Sequence, residues 1–315
     1  MNPAAFDSAV VDHGRATIAK GSQSFAAAAR LFAPSVRDGA VMLYAWCRHC
    51  DDVVDGQVLG RAQPGRAPSA GIARLEELRV DTRGACAGVP TSDPVFTGIA
   101  EVVSRYGLPP VYLEHHLDGF AMDVQGRRYA TLEDTLAYCW HVGGVVGVMM
   151  SHVMGRSDPA TLDRACDLGI AFQLTNIARD IVEDAAIGRV YLPADWLMSE
   201  GLPTDVRLAD PRHRPALARV ARRLVAAAEP YYDSAAIGLS ALPYRSAWSV
   251  ATARGVYRAI GRLVVDRGPA AWDRRAATCS AGKAAWGGAG AGGGFASRFN
   301  GAASRRDRAL FQRPA

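Results

Sequence analysis

Apolar residues recur at helical spacing through most of the chain, in long segments that clusters of glycine and proline separate. Asp158-Pro159 starts a pair of helices that ends in an acidic run near residue 184. No stretch shows the strict alternation of a half-buried strand. The pattern predicts an all-α fold, a single-domain helical bundle, with its other helices over residues 8–20, 26–32, 36–55, 72–79, 95–106, 110–125, 132–154, 214–237 and 244–266.

The helical pattern stops near residue 275. Residues 287–294 are almost entirely Gly and Ala, and polar, Arg-rich sequence follows them. Such composition predicts a flexible tail over residues 276–315, after a catalytic domain over residues 1–275. A formal G-x-G-x-x-G in this tail follows no predicted strand, so it does not indicate nucleotide binding.

The overall composition is that of a soluble protein, with 49% apolar and 21% charged residues among 315. The formal charge of +5 comes with no run of Lys or Arg, which argues against nucleic acid as a partner. Six scattered cysteines indicate free thiols in a reducing compartment. The most apolar segment, residues 142–154, is too short to span a bilayer, and no signal peptide is visible. We therefore expect a cytoplasmic protein with peripheral membrane contact.

Two acidic runs carry the candidate chemistry. Asp51 and Asp55 lie four residues apart in the first run, and Asp180 and Asp184 repeat that spacing in the second. On a helix this spacing places both carboxylates on one face, where like charges repel unless a cation lies between them. Magnesium prefers oxygen ligands and often shares them with substrate phosphates. The runs therefore predict a metal-bridged diphosphate, although each run alone is also compatible with an exposed, salt-bridged helix face.

Arginines beside these runs are candidates for diphosphate contact, because the guanidinium fork matches phosphate oxygens. They are Arg48, Arg179 and Arg189. Each arginine taken singly is more often a salt-bridge partner. Asp52 and Glu183, in the same runs, are either supporting residues or plain surface charges.

Other motifs have ordinary structural explanations. Ser22 and Ser24 could donate to a phosphate, but a helix N-cap is favoured from sequence alone. The Cys47–Cys50 pair lacks a second pair at metal spacing, so buried thiols are favoured over zinc. His115 and His116 likewise lack partner ligands in the sequence.

Glycines stud the helix around residues 142–150. Small residues there either let a neighbouring helix approach closely or leave room for a long apolar ligand. Tyr44, Tyr138 and Tyr257 could line such a channel and stabilise a carbocation through their ring faces. Each tyrosine taken singly is more often an ordinary core residue.

Four motifs resemble the trans-isoprenoid head-to-head synthases of the squalene/phytoene synthase family, with the bacterial phytoene synthases as the branch of closest resemblance. The resemblance covers about residues 15–275, with the motifs in family order. They are residues 44–55 (YAWCRHCDDVVD), 138–147 (YCWHVGGVVG), 173–180 (QLTNIARD) and 189–193 (RVYLP).

The resemblance implies the isoprenoid-synthase helical fold and a two-step reaction that depends on Mg²⁺, with Mn²⁺ able to substitute. Two geranylgeranyl diphosphates condense head to head through prephytoene diphosphate to phytoene, the first committed step of carotenoid biosynthesis. NADPH is not expected. Association with other carotenoid enzymes, alongside the membrane contact, is a further expectation.

The resemblance also assigns site residues. It places Asp51, Asp55, Asn176, Asp180 and Asp184 at the metal, with Gln173 supporting them. Diphosphate contacts fall to Ser22, Ser24, Arg48, Arg179, Arg189 and Tyr191. The residues implied to shape the channel are Phe25, Tyr44, Tyr138, Val142, Gly143, Val146, Gly147 and Tyr257. The four aspartates together with Arg48, Tyr138 and Tyr257 are the implied catalytic set.

The chain departs from the family pattern in two places. Gln23 stands where a basic residue is common, and the expected closing helix after residue 275 is replaced by Gly/Ala-rich sequence. The nearest alternative is a squalene or dehydrosqualene synthase acting on farnesyl diphosphate. A terpene cyclase fits the second acidic motif less well, and a non-catalytic helical scaffold at a membrane surface is the alternative outside enzymes.

Overall fold

The computed structural model describes residues 6–58, 61–62, 71–276 and 305–314. Helices dominate these residues and run, in chain order, over α1 (Ser8–Gly21), α2 (Gln23–Ala29), α3 (Pro34–Asp55), α4 (Gly71–Cys86), α5 (Pro94–Tyr106), α6 (Val111–Val124), α7 (Leu132–Cys139), α8 (Val145–Val153), α9 (Pro159–Ala186), α10 (Ala194–Ser199), α11 (Arg214–Gly238) and α12 (Tyr244–Arg267). Short 3₁₀ turns cover Val206–Ala209, Pro211–His213, Leu239–Ala241 and Gly268–Trp272. The all-α prediction is confirmed.

The extended structure among the described residues is one minimal ladder. Strand β1 (Gln57–Val58) pairs antiparallel with β2 (Arg61–Ala62), directly after α3. The sequence places this region in a loop, and a two-residue ladder changes nothing in the helical architecture.

One long helix, α9, organises the core. Its 28 residues begin at Pro159, which fits the first turn, and the preceding Asp158 is the N-cap, whose Oδ1 accepts the backbone N–H of Thr161 at 2.9 Å. It packs against α8, α11 and α12. The predicted pair of helices in this region was wrong, because residues 159–186 form one continuous helix with Gly169 inside it at a close helix contact.

The predicted helix over residues 132–154 is interrupted rather than uniform. A π-helical turn, Trp140–Gly144, joins α7 to α8. Such turns insert an extra residue and re-aim the side chains beside them. Among the described residues, Leu132–Val153 is long and apolar enough to cross a membrane by length and composition. About 61% of its most apolar stretch is buried inside the fold, as in the core helix of a globular protein.

Residues 305–314 pack on the outer face of α9 and α11. Arg306 donates to the buried carboxylate of Asp167 through Nη2 at 2.7 Å and Nε at 2.9 Å, and Arg313 pairs with Asp163. The side chain of Leu310 is buried. The flexible-tail prediction differs from the structure for these ten residues, since Arg306 satisfies a buried charge. Residues 277–304 of the predicted tail lie outside the described residues.

Several structural interpretations of single motifs agree with the fold. The hydroxyl oxygen of Ser22 accepts from the backbone N–H of Phe25 at 3.3 Å and caps α2, as the N-cap interpretation predicts. Cys47 and Cys50 are free, and burial raises the pKa of Cys47 to about 12, which suits core thiols. His116 is buried in the core, and burial lowers its pKa to about 4.

Candidate active site

The two acidic runs lie at the ends of α3 and α9 and are joined by an ion pair. Asp55 is the last residue of α3, and Arg189 follows the end of α9. Nη1 of Arg189 donates to Oδ2 of Asp55 at 2.9 Å, and its Nη2 contacts the other oxygen. The structure thus brings the first run to the turn that follows the second.

The carboxylate of Asp51 lies against Arg48, one turn earlier on α3. Nη1 of Arg48 is 3.0 Å from Asp51, and Nη2 donates to Asp52 at 2.8 Å. Burial raises the pKa of Asp51 to about 6 despite the opposing charge of Arg48. Asp52 is therefore a partner of Arg48, which gives this residue of the run a positioning role.

Asp180 is the most strongly paired carboxylate of the second run. Arg179 donates to it through Nε at 2.8 Å and Nη2 at 2.5 Å, and Arg275 adds bonds of 3.1 and 2.8 Å. Burial alone would raise the pKa of Asp180, but the hydrogen bonds from both arginines outweigh it and hold this pKa below its ordinary value. Arg275 belongs to no sequence motif, because it lies at the point where the helical pattern stops.

Asp184 lies one turn after Asp180 in a different environment. Burial raises its pKa to about 8, and the neighbouring charge of Asp180 adds to the shift. A carboxyl group of this kind favours the protonated form at neutral pH unless a cation comes close. The two aspartates of the second run therefore differ, with Asp180 ionised and Asp184 largely neutral.

The donor set of the second run fits a hard divalent cation. Asn176, one turn before Asp180, has a buried Oδ1 with no hydrogen-bond partner among the described residues, while its Nδ2 donates to Gln173 at 3.4 Å. An amide oxygen left without a donor is a ligand that Mg²⁺ accepts, as are the carboxylates beside it. These residues would hold the ion that the resemblance implies.

Asp123 on α6 is a site residue that the sequence analysis missed. Its two carboxylate oxygens accept the hydroxyls of Tyr138 at 3.1 Å and Tyr191 at 3.0 Å. The two rings stack with centroids 4.5 Å apart. Burial raises the pKa of Asp123 to about 6, against the charge of Arg189. The available signal was a lone aspartate between Met122 and Val124 in an apolar stretch of α6.

An aromatic cluster lies beside the second run. Phe25 stacks on Tyr257 at 5.5 Å and lies 6.3 Å from the ring of Tyr44, while Phe172 stacks on Tyr257 at 4.2 Å. The structure therefore brings three predicted channel residues together and adds Phe172, which the analysis missed. Burial raises the pKa of Tyr44 to about 12 and raises that of Tyr257, so both remain phenols.

Gly143 in the π-helical turn and Gly147 in α8, two predicted channel positions, serve helix packing. A Cβ at Gly143 would lie 2.5 Å from the carbonyl oxygen of Gly169, and one at Gly147 would lie 2.1 Å from that of Ala165. The backbone of α9 fills this space, which favours the close-approach explanation over room for a ligand. Val142 and Val146 are half-buried. The side chain of Ser24 lies outside the described part of the structure.

A second group of metal-ligating atoms is separate from the acidic runs. His115, Asp118 and His141 offer ligand atoms within 4.8 Å of one another. Asp118 is already held by Arg79 at 2.8 Å. Two imidazoles also suit a transition metal better than magnesium, so this group does not supply the predicted magnesium site.

The fold has close counterparts among solved structures. A dehydrosqualene synthase in complex with ligand superposes with a TM-score of 0.79 at 24% identity, covering 90% of this chain and 95% of that one. A squalene synthase from Alicyclobacillus acidocaldarius gives a TM-score of 0.72 at 23% identity over 82% of this chain and 94% of its own. The helical bundle is thus that of the isoprenoid synthases.

Sequence comparison narrows this class. The squalene/phytoene synthase profile matches residues 18–282, and the chain belongs to that family. It is 56% identical to a phytoene synthase of Pseudescherichia vulneris over 84% of this chain and 86% of that protein. It is 57% identical to a 15-cis-phytoene synthase of Enterobacter agglomerans (82% and 87% covered), and 54% identical to one of Pantoea ananas (85% and 87% covered).

Proposed function

We propose that the chain is a prenyltransferase that condenses two geranylgeranyl diphosphates to 15-cis-phytoene. The observation that carries this function is the 54–57% identity to proteins named phytoene synthase. The ion pair between Asp55 of the first acidic run and Arg189, just after the second, supports it. The squalene-type alternative is supported by structures under 25% identical, which share the fold.

The reaction needs no reductant. The C1–O bond of one substrate breaks and diphosphate leaves, and the double bond of the second substrate attacks the allylic cation. Loss of a proton closes the cyclopropane of prephytoene diphosphate. Its C–O bond then breaks, the carbon skeleton rearranges, and loss of a second proton gives phytoene. Two diphosphates and two protons are released, so the atoms balance.

The residues of the site divide these tasks. Mg²⁺, when bound, supplies the charge that neutralises the leaving diphosphate. Asp51, Asp55, Asn176, Asp180 and Asp184 would hold it. Arg48, Arg179 and Arg189 would contact diphosphate oxygens through their guanidinium groups.

The aromatic cluster and the Asp123 group serve the organic part of the substrate. The ring faces of Phe25, Tyr44 and Tyr257 attract a carbocation and exclude water from it. The oxygen Oδ2 of Asp123, which accepts from Tyr138, is placed to take a proton through that hydroxyl. Its raised pKa of about 6 suits proton acceptance near neutral pH.

A product assay tests the proposed function. Purified protein and Mg²⁺ receive geranylgeranyl diphosphate in one tube and farnesyl diphosphate with NADPH in another, and the hydrocarbons are identified by mass. We expect a C40 hydrocarbon from the first tube alone. A C30 hydrocarbon from the second would move the function to the squalene branch, and a protein that binds Mg²⁺ with diphosphate yet makes neither product would contradict both.

Peripheral membrane contact and a cytoplasmic location are part of the same proposal, because phytoene is too apolar to leave the enzyme into water. Co-sedimentation with anionic and neutral vesicles measures this contact. Binding that rises with the anionic lipid fraction is expected from the formal charge of +5. Absence of binding to both vesicle types would contradict the proposed membrane contact, but it would not bear on the proposed reaction.

A further inference from the structure

Asp180 is enclosed by two guanidinium groups at once. Its Oδ1 accepts Nε of Arg179 at 2.8 Å and Nε of Arg275 at 3.1 Å. Its Oδ2 accepts Nη2 of the same two arginines, at 2.5 and 2.8 Å. Four hydrogen bonds therefore converge on one carboxylate.

This arrangement conflicts with metal ligation by Asp180. A carboxylate offers about four lone-pair sites, and the two arginines use all four. A hard cation needs at least one of these lone pairs, and two adjacent positive charges repel it. Asp180 can therefore become a ligand only after one guanidinium has withdrawn.

Arg275 is the arginine that can withdraw. Its side chain is 57% exposed, against 15% for that of Arg179. Arg179 is fixed within α9 beside Asp180, whereas Arg275 follows the 3₁₀ turn Gly268–Trp272 in irregular structure. An exposed guanidinium gives up little on returning to water, so releasing it costs less than releasing its buried counterpart.

We propose that Arg275 is an exchangeable counter-ion of the metal site. It holds one hydrogen bond on each oxygen of Asp180 until a metal–diphosphate complex arrives, and then transfers its guanidinium from the carboxylate to the diphosphate. Return of Arg275 to Asp180 would follow departure of the diphosphate and reset the site. This inference rests on the proposed function in one respect, that Asp180 ligates the metal. Arg275 is thus a positioning residue that acts through Asp180.

Metal binding to the full-length, substrate-free protein tests the exchange. Mn²⁺ affinity is measured by electron paramagnetic resonance for the wild type and for Arg275→Met. We expect Arg275→Met to bind Mn²⁺ roughly two- to fivefold more tightly, the strength of a partly exposed ion pair. With saturating pyrophosphate the wild type should bind Mn²⁺ more tightly than Arg275→Met, because the variant lacks the guanidinium that would contact the diphosphate.

Two further variants separate the contact from the charge. Arg274→Met removes the same charge from the neighbouring exposed position and should leave Mn²⁺ affinity at the wild-type value. Arg275→Lys keeps the charge but loses the planar guanidinium fork. Its Mn²⁺ affinity should lie between those of the wild type and Arg275→Met.

The outcomes distinguish failure of the exchange from failure of the site. Equal Mn²⁺ affinities for Arg275→Met and Arg274→Met would overturn the exchange. Wild-type Mn²⁺ affinity in Asp180→Asn would show instead that Asp180 is not a ligand, which contradicts the metal assignment of the proposed function.

Discussion

Burial raises the pKa of Asp184 to about 8, above the value of about 6 for Asp51 in the first acidic run. In the protein without metal its neutral form predominates at pH 7, and an amide imitates that form. We expect Asp184→Asn to keep or slightly raise the melting temperature while lowering turnover by about 10²-fold or more, beyond the range typical of outer-shell residues. Thermal melting and the phytoene assay measure the two effects.

Glu183→Gln is the matched control for Asp184→Asn. Glu183 is the exposed neighbour on α9 and approaches Arg275 only to 3.8 Å. Turnover within a few-fold of the wild type is expected for this variant. Full activity in Asp184→Asn would exclude Asp184 as a metal ligand. A large loss of turnover in Glu183→Gln would show that the effect is not specific to Asp184.

Site residues can be predicted from the sequence where a spacing repeats, but not where a residue lies outside any motif. Asp55 and Arg189 were singled out as site residues because each lies in or beside a run with a repeated carboxylate spacing, and the structure pairs them. Asp123 carries no such spacing, and its role depends on two tyrosine hydroxyls, one from α7 and one from the connection between α9 and α10. Only tertiary packing reveals that relation.

Helix α9 packs closely against the π-helical turn Trp140–Gly144 through facing glycines. A Cβ at Gly169 would lie 2.1 Å from the carbonyl oxygen of Gly143, and backbone atoms cannot yield as a side chain does. Gly169→Ala should therefore destabilise the protein by about 3 kcal/mol or more. Urea unfolding followed by circular dichroism measures the change.

Gly84→Ala in α4 is the control for helix propensity. A Cβ there would meet Val89 at 3.8 Å, an ordinary contact. Alanine in that helix should be neutral or stabilise by up to about 1 kcal/mol. If both variants shifted stability alike, close packing at Gly169 would not be the cause.

The last described segment, residues 305–314, also acts as an element. Asp167 is fully buried on α9, and Arg306 neutralises it with a bidentate contact. Arg306→Ala removes this bidentate partner and leaves the buried carboxylate to Ser234 and the nearby charge of Arg164, so it should cost about 3 kcal/mol. The exposed Arg308→Ala should change the free energy of unfolding by no more than about 0.5 kcal/mol. Equal stability of the two variants in urea would show that the segment does not support the core.

Helix positions were predictable because amphipathic spacing reports which face is buried, and α3, α5, α11 and α12 start or end within two residues of their predicted bounds. The docking of residues 305–314 was not predictable, because it depends on a buried aspartate far away in sequence. The predicted division of α9 into two helices was wrong, because the packing that keeps Gly169 inside one continuous helix is not visible from the sequence.

Protonation of buried side chains makes the stability of the protein depend on pH. Above pH 7 the histidines with lowered pKa values, such as His116, are neutral in the folded and unfolded states alike. Asp51 and Asp123, with pKa values of about 6, are then mostly ionised. Between pH 7 and 8 the acidic-site group that still binds a proton in the folded state is Asp184.

The sign follows from proton linkage. The folded protein binds more protons than the unfolded chain in this window, so the free energy of unfolding falls as pH rises, by at most about 1.4 kcal/mol per pH unit. Asp184→Asn should flatten the slope, and Mg²⁺ with pyrophosphate should raise stability most at pH 8, where the carboxylate is easiest to ionise. Urea unfolding at pH 7 and pH 8, with and without Mg²⁺ and pyrophosphate, measures both effects. Stability that rises with pH in the wild type, or an unchanged slope in Asp184→Asn, would show that Asp184 is not protonated in the folded protein.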